Sequence, residues 1–236
     1  MKKMYARMKG WLEALVRLFF PRHCVVCGDC LQQGEDVLCM RCSIDMPRTG
    51  FHLHRDNEVE RMFWGKLPLE RASAYFYYSK GSNYRGILHQ LKYNGRHDVG
   101  EAMGRFMAAE LQASGFFEGI DVLVPVPLHR RKQKARGYNQ SEYIARGIAQ
   151  VTGIGVDSTA VVRLKNTATQ TRKSVYERWE NVREIFALRH PERFTGKHLL
   201  LVDDVLTTGA TLTACADAFT PVAGIRISIL ALALAR

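Results

Sequence analysis

Two adjacent carboxylates, Asp203 and Asp204, are followed after Val205 and Leu206 by a run of small and hydroxyl-bearing residues, Thr207, Thr208, Gly209, Ala210 and Thr211. Hydroxyls and free backbone N–H groups at the start of a helix bind anions, helped by the partial positive charge of the helix dipole. Gly209 permits a backbone conformation that a β-carbon would obstruct. The carboxylates repel a phosphate, but they accept hydrogen bonds from sugar hydroxyls, as the acidic residue of dinucleotide-binding folds does. A phosphate-binding turn beside hydroxyl-binding acids is the chemistry of a ribose 5-phosphate site. The competing reading is a Walker-B-like acidic strand end, or an ordinary buried strand and turn.

A second constellation stands near the amino terminus. Cys24 and Cys27 form one C-x-x-C pair, eleven residues pass, and Cys39 and Cys42 form another. Four thiolates in two such knuckles suit a tetrahedral zinc ion, and four cysteines leave no open position for chemistry, so the expected role is structural. A ribbon this small buries little apolar surface, so the metal would supply most of its stability. Cys30 breaks the paired spacing and is read as a spare thiol, and nearby His23 is not taken as a ligand. The alternative is a disulfide framework, which does not suit the reducing, cytoplasmic compartment expected of a chain without a signal peptide.

A third cluster is basic. Residues 128–137 hold Arg130, Arg131, Lys132, Lys134 and Arg136, and with Pro127 and Leu128 they follow an apolar stretch at 120–127. Cations in a loop at a strand's carboxyl end suit a pyrophosphate or a nucleic-acid backbone; a solvated charge run is the alternative. Further on, residues 165–181 are polar, basic and weakly periodic, and they include Gln170 and Arg178. A long polar segment inside an α/β domain reads as a mobile lid.

The elements that must position these groups follow from periodicity. The apolar run 199–202 suits a strand buried on both faces of a parallel sheet, with the acids just beyond it. Leu212, Cys215, Ala216 and Phe219 then repeat at helical spacing. Residues 72–79 read as a strand whose Tyr75, Phe76, Tyr77 and Tyr78 are core rather than stacking groups. Tyr84, Ile87, Leu88 and Leu91 form a helical stripe stopped at Asn94 or Gly95, and Val99, Met103, Phe106, Met107 and Leu111 form another. Asn139 and Glu142 resemble a capping box opening a helix with Ile144, Ile148 and Val151 inward. Residues 225–235 suit a last buried strand. Residues 47–69 read as a loose connector, with His52 and His54 at the surface.

The 236 residues accommodate one large domain plus a small module, and 47% hydrophobic content gives a real core. Lysine and arginine number 34 against 23 acids, a net charge of +11, which favours polyanionic partners or simply aids solubility. No apolar run reaches the length of a membrane span, and residues 4–20 are too interrupted by charge for a secretory signal. Tyr5, Met8, Trp11, Leu12, Leu15, Val16 and Phe19 lie on one helical face. A packing or partner-contact helix is favoured there over a membrane-surface one. The chain divides into an amphipathic helix (1–20), a zinc ribbon (21–48), a connector (49–69) and a main domain (70–236).

The contiguous run from Val202 to Thr211 resembles the signature of type I phosphoribosyltransferases, which bind 5-phosphoribosyl-1-diphosphate (PRPP). The ordered set is more specific than any one motif. It comprises the four-cysteine ribbon, Tyr84 with Leu91-Lys92-Tyr93, Val124-Pro125-Val126-Pro127, Arg136-Gly137-Tyr138-Asn139-Gln140, and Arg163, Thr167, Gln170, Arg178 and Asn181 before the signature. Together these resemble the ComF/GntX family, bacterial proteins linked to DNA uptake in natural competence, over residues 22–236. The resemblance implies a type I phosphoribosyltransferase-like fold: α/β, with a mostly parallel sheet flanked by helices and the ligand at its carboxyl edge. It implies that Asp203 and Asp204 hold ribose hydroxyls, that 207–211 cradle the 5-phosphate, that the 128–137 loop faces pyrophosphate, and that 165–181 closes over the ligand. Mg²⁺ would accompany PRPP, and a nitrogen nucleophile would displace pyrophosphate. With no cysteine at the amino terminus, the glutamine-hydrolysing half of the purine-pathway amidotransferase is not expected. The alternative from another class is a non-catalytic, PRPP-responsive module handling single-stranded DNA alongside competence proteins.

Overall fold

The computed structural model describes residues 21–164 and 185–236. Four parallel strands form the central sheet: β1 (Ala72–Tyr78), β2 (Val122–Pro125), β5 (His198–Leu206) and β6 (Arg226–Ala235), in the order β1-β6-β5-β2. β3 (Val161–Arg163) and β4 (Phe186–Leu188) pair antiparallel as a separate two-stranded sheet. β5 and β6 are the central strands and are apolar almost throughout, because parallel strands covered on both faces have no solvent side to alternate toward.

Helices cover both faces. On one lie α3 (Arg85–Tyr93), α4 (His97–Gln112) and α6 (Gln140–Thr152), packed on Leu200, Val202, Leu230 and Leu232. On the other, α2 (Glu58–Phe63) and α7 (Ala210–Asp217) pack on Leu199, Leu201, Ile229 and Ala231. The helical stripes at 84–91 and 99–111 and the strands at 72–79 and 225–235 stand where periodicity predicts them. α4 and α6 touch backbone to backbone. A β-carbon on Gly104 would lie 2.2 Å from the Ile144 carbonyl oxygen, and one on Gly147 would lie 2.1 Å from that of Glu101.

The cysteine segment carries α1 (Met40–Ile44) and joins the same core, with Val37, Leu38 and Met46 buried against the α3–α4 side. Its grip on α3 is direct. Tyr84 Oη donates to the Cys42 carbonyl at 2.9 Å, and a β-carbon on Gly86 would meet the Val25 carbonyl oxygen at 2.2 Å.

Several local expectations change. Residues 47–69 are not loose. Asn57 caps α2 by accepting from the Val59 and Glu60 N–H groups and donates to the Ala72 carbonyl at 2.9 Å, which ties the segment to β1. His52 is buried, whereas His54 is exposed. β5 does not stop at Val202; its ladder with β6 continues through Leu206 paired with Leu234. The basic segment is not a loop but a short helix, α5 (Arg130–Arg136), capped by His129 and ended by Gly137 at φ 81°. The capping box does not form: the Asn139 side chain donates instead to the Val126 carbonyl at 3.1 Å, and Glu142 pairs with Arg146 at 2.6 Å.

Candidate functional site

β5 runs through both acids, which lie near its carboxyl end. Asp204 follows Leu200 and Val202 toward the α3 side, where its Oδ2 lies 2.9 Å from Lys92 Nζ, with the two side chains 14% and 23% exposed. Asp203 is approached from both faces, by Ser141 of α6 and Cys215 of α7. It is half-buried; Ser141 Oγ donates to its Oδ1 at 3.0 Å, and the Asp204 N–H donates to the same oxygen at 2.9 Å. Burial, and then the neighbouring Asp204 charge, push the Asp203 carboxyl up to about 7, against the lowering effect of those hydrogen bonds and of Lys92. Arg163 of β3 and Cys215 of α7 stand within electrostatic reach of Asp203. Burial pushes the Cys215 thiol far up, so it is an inert core group, as its place on the helix stripe predicts.

The chain leaves β5 at Thr207 and Thr208, both exposed, and turns at Gly209, whose φ of 78° favours a residue without a β-carbon. A β-carbon there would also meet the Phe63 ring at 3.0 Å, so α2 presses on the turn. Gly209 gives α7 no side-chain cap, the Ala210 N–H donates to Thr208 Oγ1 at 3.5 Å, and Ala210 and Thr211 are exposed. The turn therefore offers hydroxyls and helix-start N–H groups to solvent at the carboxyl edge of the sheet. Val205 is half-buried and Leu206 buried, so their side chains belong to the strand rather than to the turn.

Residues 136–141 bind the edge together. Arg136 Nη1 donates to Gln140 Oε1 at 2.7 Å, Tyr138 Oη to the Leu91 carbonyl, Asn139 to the end of β2, and Ser141 to Asp203. Pro127 and Leu128 are half-buried where β2 ends, and Arg130, Arg131, Lys132 and Lys134 are exposed on α5. Gln170, Arg178 and the rest of the expected closing segment lie outside the described residues. Sequence reading did not assign Lys92 or Ser141 to the site. The signal available for Lys92 was its place in the Leu91-Lys92-Tyr93 motif; Ser141 carried none beyond its position after Gln140.

At the amino-terminal end the Sγ atoms of Cys24, Cys27, Cys39 and Cys42 all lie within 4.8 Å of one another, a group able to hold a metal ion. Burial works to raise the Cys24 thiol, but N–H groups of Cys27, Cys39 and Val26 overcome it and bring the thiol down to about 7, whereas burial pushes the Cys42 thiol up. Cys30 is outside the group; it is exposed, 4.0 Å from His23 Nδ1.

No family model matches the chain. It is 30% identical over 200 residues to the DNA utilization protein YhgH of Escherichia coli K12, covering 83% of this chain and 84% of that protein. It is 36% identical over 93 residues to Competence protein F of Haemophilus influenzae, 39% of this chain and 41% of that one. Among solved structures, a Bacillus subtilis glutamine PRPP amidotransferase complexed with ADP and GMP superposes with a TM-score of 0.41 at 21% identity, over 60% of this chain and 30% of the other.

Proposed function

The chain belongs to the ComF/GntX family, and from that premise we propose that it is a PRPP-binding, phosphoribosyltransferase-like protein serving DNA uptake. One observation carries the reading: the acidic pair near the end of β5 is followed, after Val205 and Leu206, by the exposed Thr207-Thr208 turn and the start of α7. Sugar hydroxyls would be accepted by Asp203 and Asp204, and the 5-phosphate would lie on residues 207–211, the hydroxyl and N–H donors suiting an anion. α5, at the carboxyl end of β2, would face the pyrophosphate with Arg130, Arg131 and Lys132.

If the protein turns over, a nitrogen nucleophile forms a bond to the anomeric carbon as the bond to pyrophosphate breaks, through an oxocarbenium-like transition state. Mg²⁺ bound with PRPP would neutralise the leaving pyrophosphate. The protein's contribution is then positioning and charge: Ser141 and the Asp204 N–H hold Asp203, and the turn fixes the phosphate. The four cysteines fit a structural zinc ion, with no coordination position left open for chemistry. Thermal melts with and without PRPP and Mg²⁺ test binding. A screen of bases for pyrophosphate release tests turnover.

A second, compatible reading is a module that handles single-stranded DNA with PRPP as an effector. Its support is a basic surface with an exposed aromatic: Tyr93, 68% exposed, has the His89 ring centroid at 5.1 Å and the Arg136 guanidinium at 5.9 Å, beside the α5 cations. DNA affinity falling steeply with salt supports it; absent or salt-insensitive binding removes it.

A further inference from the structure

An acidic pair is an awkward place to receive a ligand with several negative charges. Ionised carboxylates accept the strongest hydrogen bonds from sugar hydroxyls, yet they repel the phosphates attached to the same sugar. Within this edge the contradiction has a structural answer. Lys92 Nζ sits 2.9 Å from Asp204 Oδ2, mostly shielded from solvent, where an ion pair is held far more firmly than at an open surface. The lysine is not a loose surface group that happened to reach an acid. It lies in the last turn of α3, and that helix is fixed at both ends. Tyr84 Oη holds its start to the Cys42 carbonyl at 2.9 Å, and the Tyr138 hydroxyl donates to the Leu91 carbonyl, one residue before Lys92. Gly86 removes any side chain between the helix and Val25.

Resting on the PRPP reading above, we propose that Lys92 is a positioning residue for the sugar-binding acids. Its ammonium, 2.9 Å away, holds the Asp204 carboxylate in place, and it offsets the pair's charge so that a polyanionic sugar diphosphate can enter. Lys92 acts through Asp204, not on the ligand. The groups facing Asp203 are Asp204 on its own strand, Lys92 from α3, Ser141 from α6, Arg163 from β3 and Cys215 from α7. Removing the Lys92 charge therefore makes Asp203 harder to ionise.

The test is calorimetric titration of the whole protein with PRPP and Mg²⁺ between about pH 6 and 9, spanning the Asp203 titration. Lys92→Met should weaken binding by ~10-fold or more and move the midpoint of its pH dependence upward, whereas Lys92→Arg should stay within ~3-fold of the parent with the midpoint unmoved. A merely structural role would lower affinity without moving the midpoint. In an Asp204→Asn background, Lys92→Met should cost less than ~3-fold, because the partner charge is already gone. That double variant buries no unpaired ammonium or carboxylate at this pair, so it also carries the test if Lys92→Met alone fails to fold. Unchanged binding in Lys92→Met, or equal losses in both backgrounds, overturns the role of Lys92 while PRPP binding by the parent still stands. A parent that does not bind PRPP removes both.

Discussion

Ser141 Oγ donates to Asp203 Oδ1 at 3.0 Å, joining residues 62 apart in sequence. This bond locates the start of α6 against the end of β5, so the motif at 136–141 and the acidic pair form one edge. It also leaves Asp203 shielded, which has a measurable consequence.

With its carboxyl raised to about 7, Asp203 holds a proton in the folded chain that the unfolded chain releases near the ordinary carboxylate value. Between those two values the folded state binds more protons, so this group's contribution to stability falls as pH rises and levels off above pH 7. Asp203→Asn should therefore be more stable than the parent at pH 8, by an amount on the order of 1–3 kcal/mol, and melt higher, with the advantage shrinking toward pH 5. Melting curves across that range decide it; a difference that does not vary with pH would show that Asp203 is not the titrating group.

Metal content follows from the geometry of the four thiols. Elemental analysis should find one zinc ion per chain; Cys27→Ser should lose it, and Cys30→Ser should keep it, since Cys30 stands outside the group. Chelation should lower the melting temperature. A folded, metal-free protein with all its thiols titratable would contradict the assignment.

Gly104→Ala should destabilise although alanine is the better helix former. Helix propensity favours alanine by about 1 kcal/mol, but its β-carbon would sit 2.2 Å from the Ile144 carbonyl oxygen, and overpacking against rigid backbone costs about 1–3 kcal/mol or more. Chemical denaturation should show a net loss; a stabilised variant would mean α4 and α6 are free to separate.

The elements legible in the sequence were those whose pattern depends on local periodicity. Ile87, Leu88 and Leu91 mark α3, and the apolar residues of 199–202 and 225–235 mark the central strands. The cysteine spacing likewise brought four thiols together. What local pattern could not show was set by partners distant in the chain. β5 extends past Val202 because β6 offers backbone partners as far as Leu234, which outweighs the polar character of Asp203 and Asp204. Asn139 gave up the capping role its type suggests because the Val126 carbonyl, thirteen residues away, is the nearer need. His52 is buried by packing that alternation along 52–54 does not encode. Lys92 reaches Asp204 from α3, a contact between residues 112 apart in sequence that local pattern does not encode.

Gly209→Ala should weaken PRPP binding more than it weakens the fold. The residue sits at φ 78°, where a β-carbon costs about 1 kcal/mol, and the new methyl would meet the Phe63 ring at 3.0 Å, displacing the turn. Parallel melting and binding measurements separate the two losses; full affinity in the variant would place the phosphate elsewhere.

The most direct measurement is a calorimetric titration of PRPP with Mg²⁺ into the parent protein and into Asp203→Asn/Asp204→Asn. Saturable binding by the parent, with the heat abolished in a double variant that still melts cooperatively, is the predicted result. Equal binding by both proteins, or none by the parent, would contradict a sugar held by those two acids.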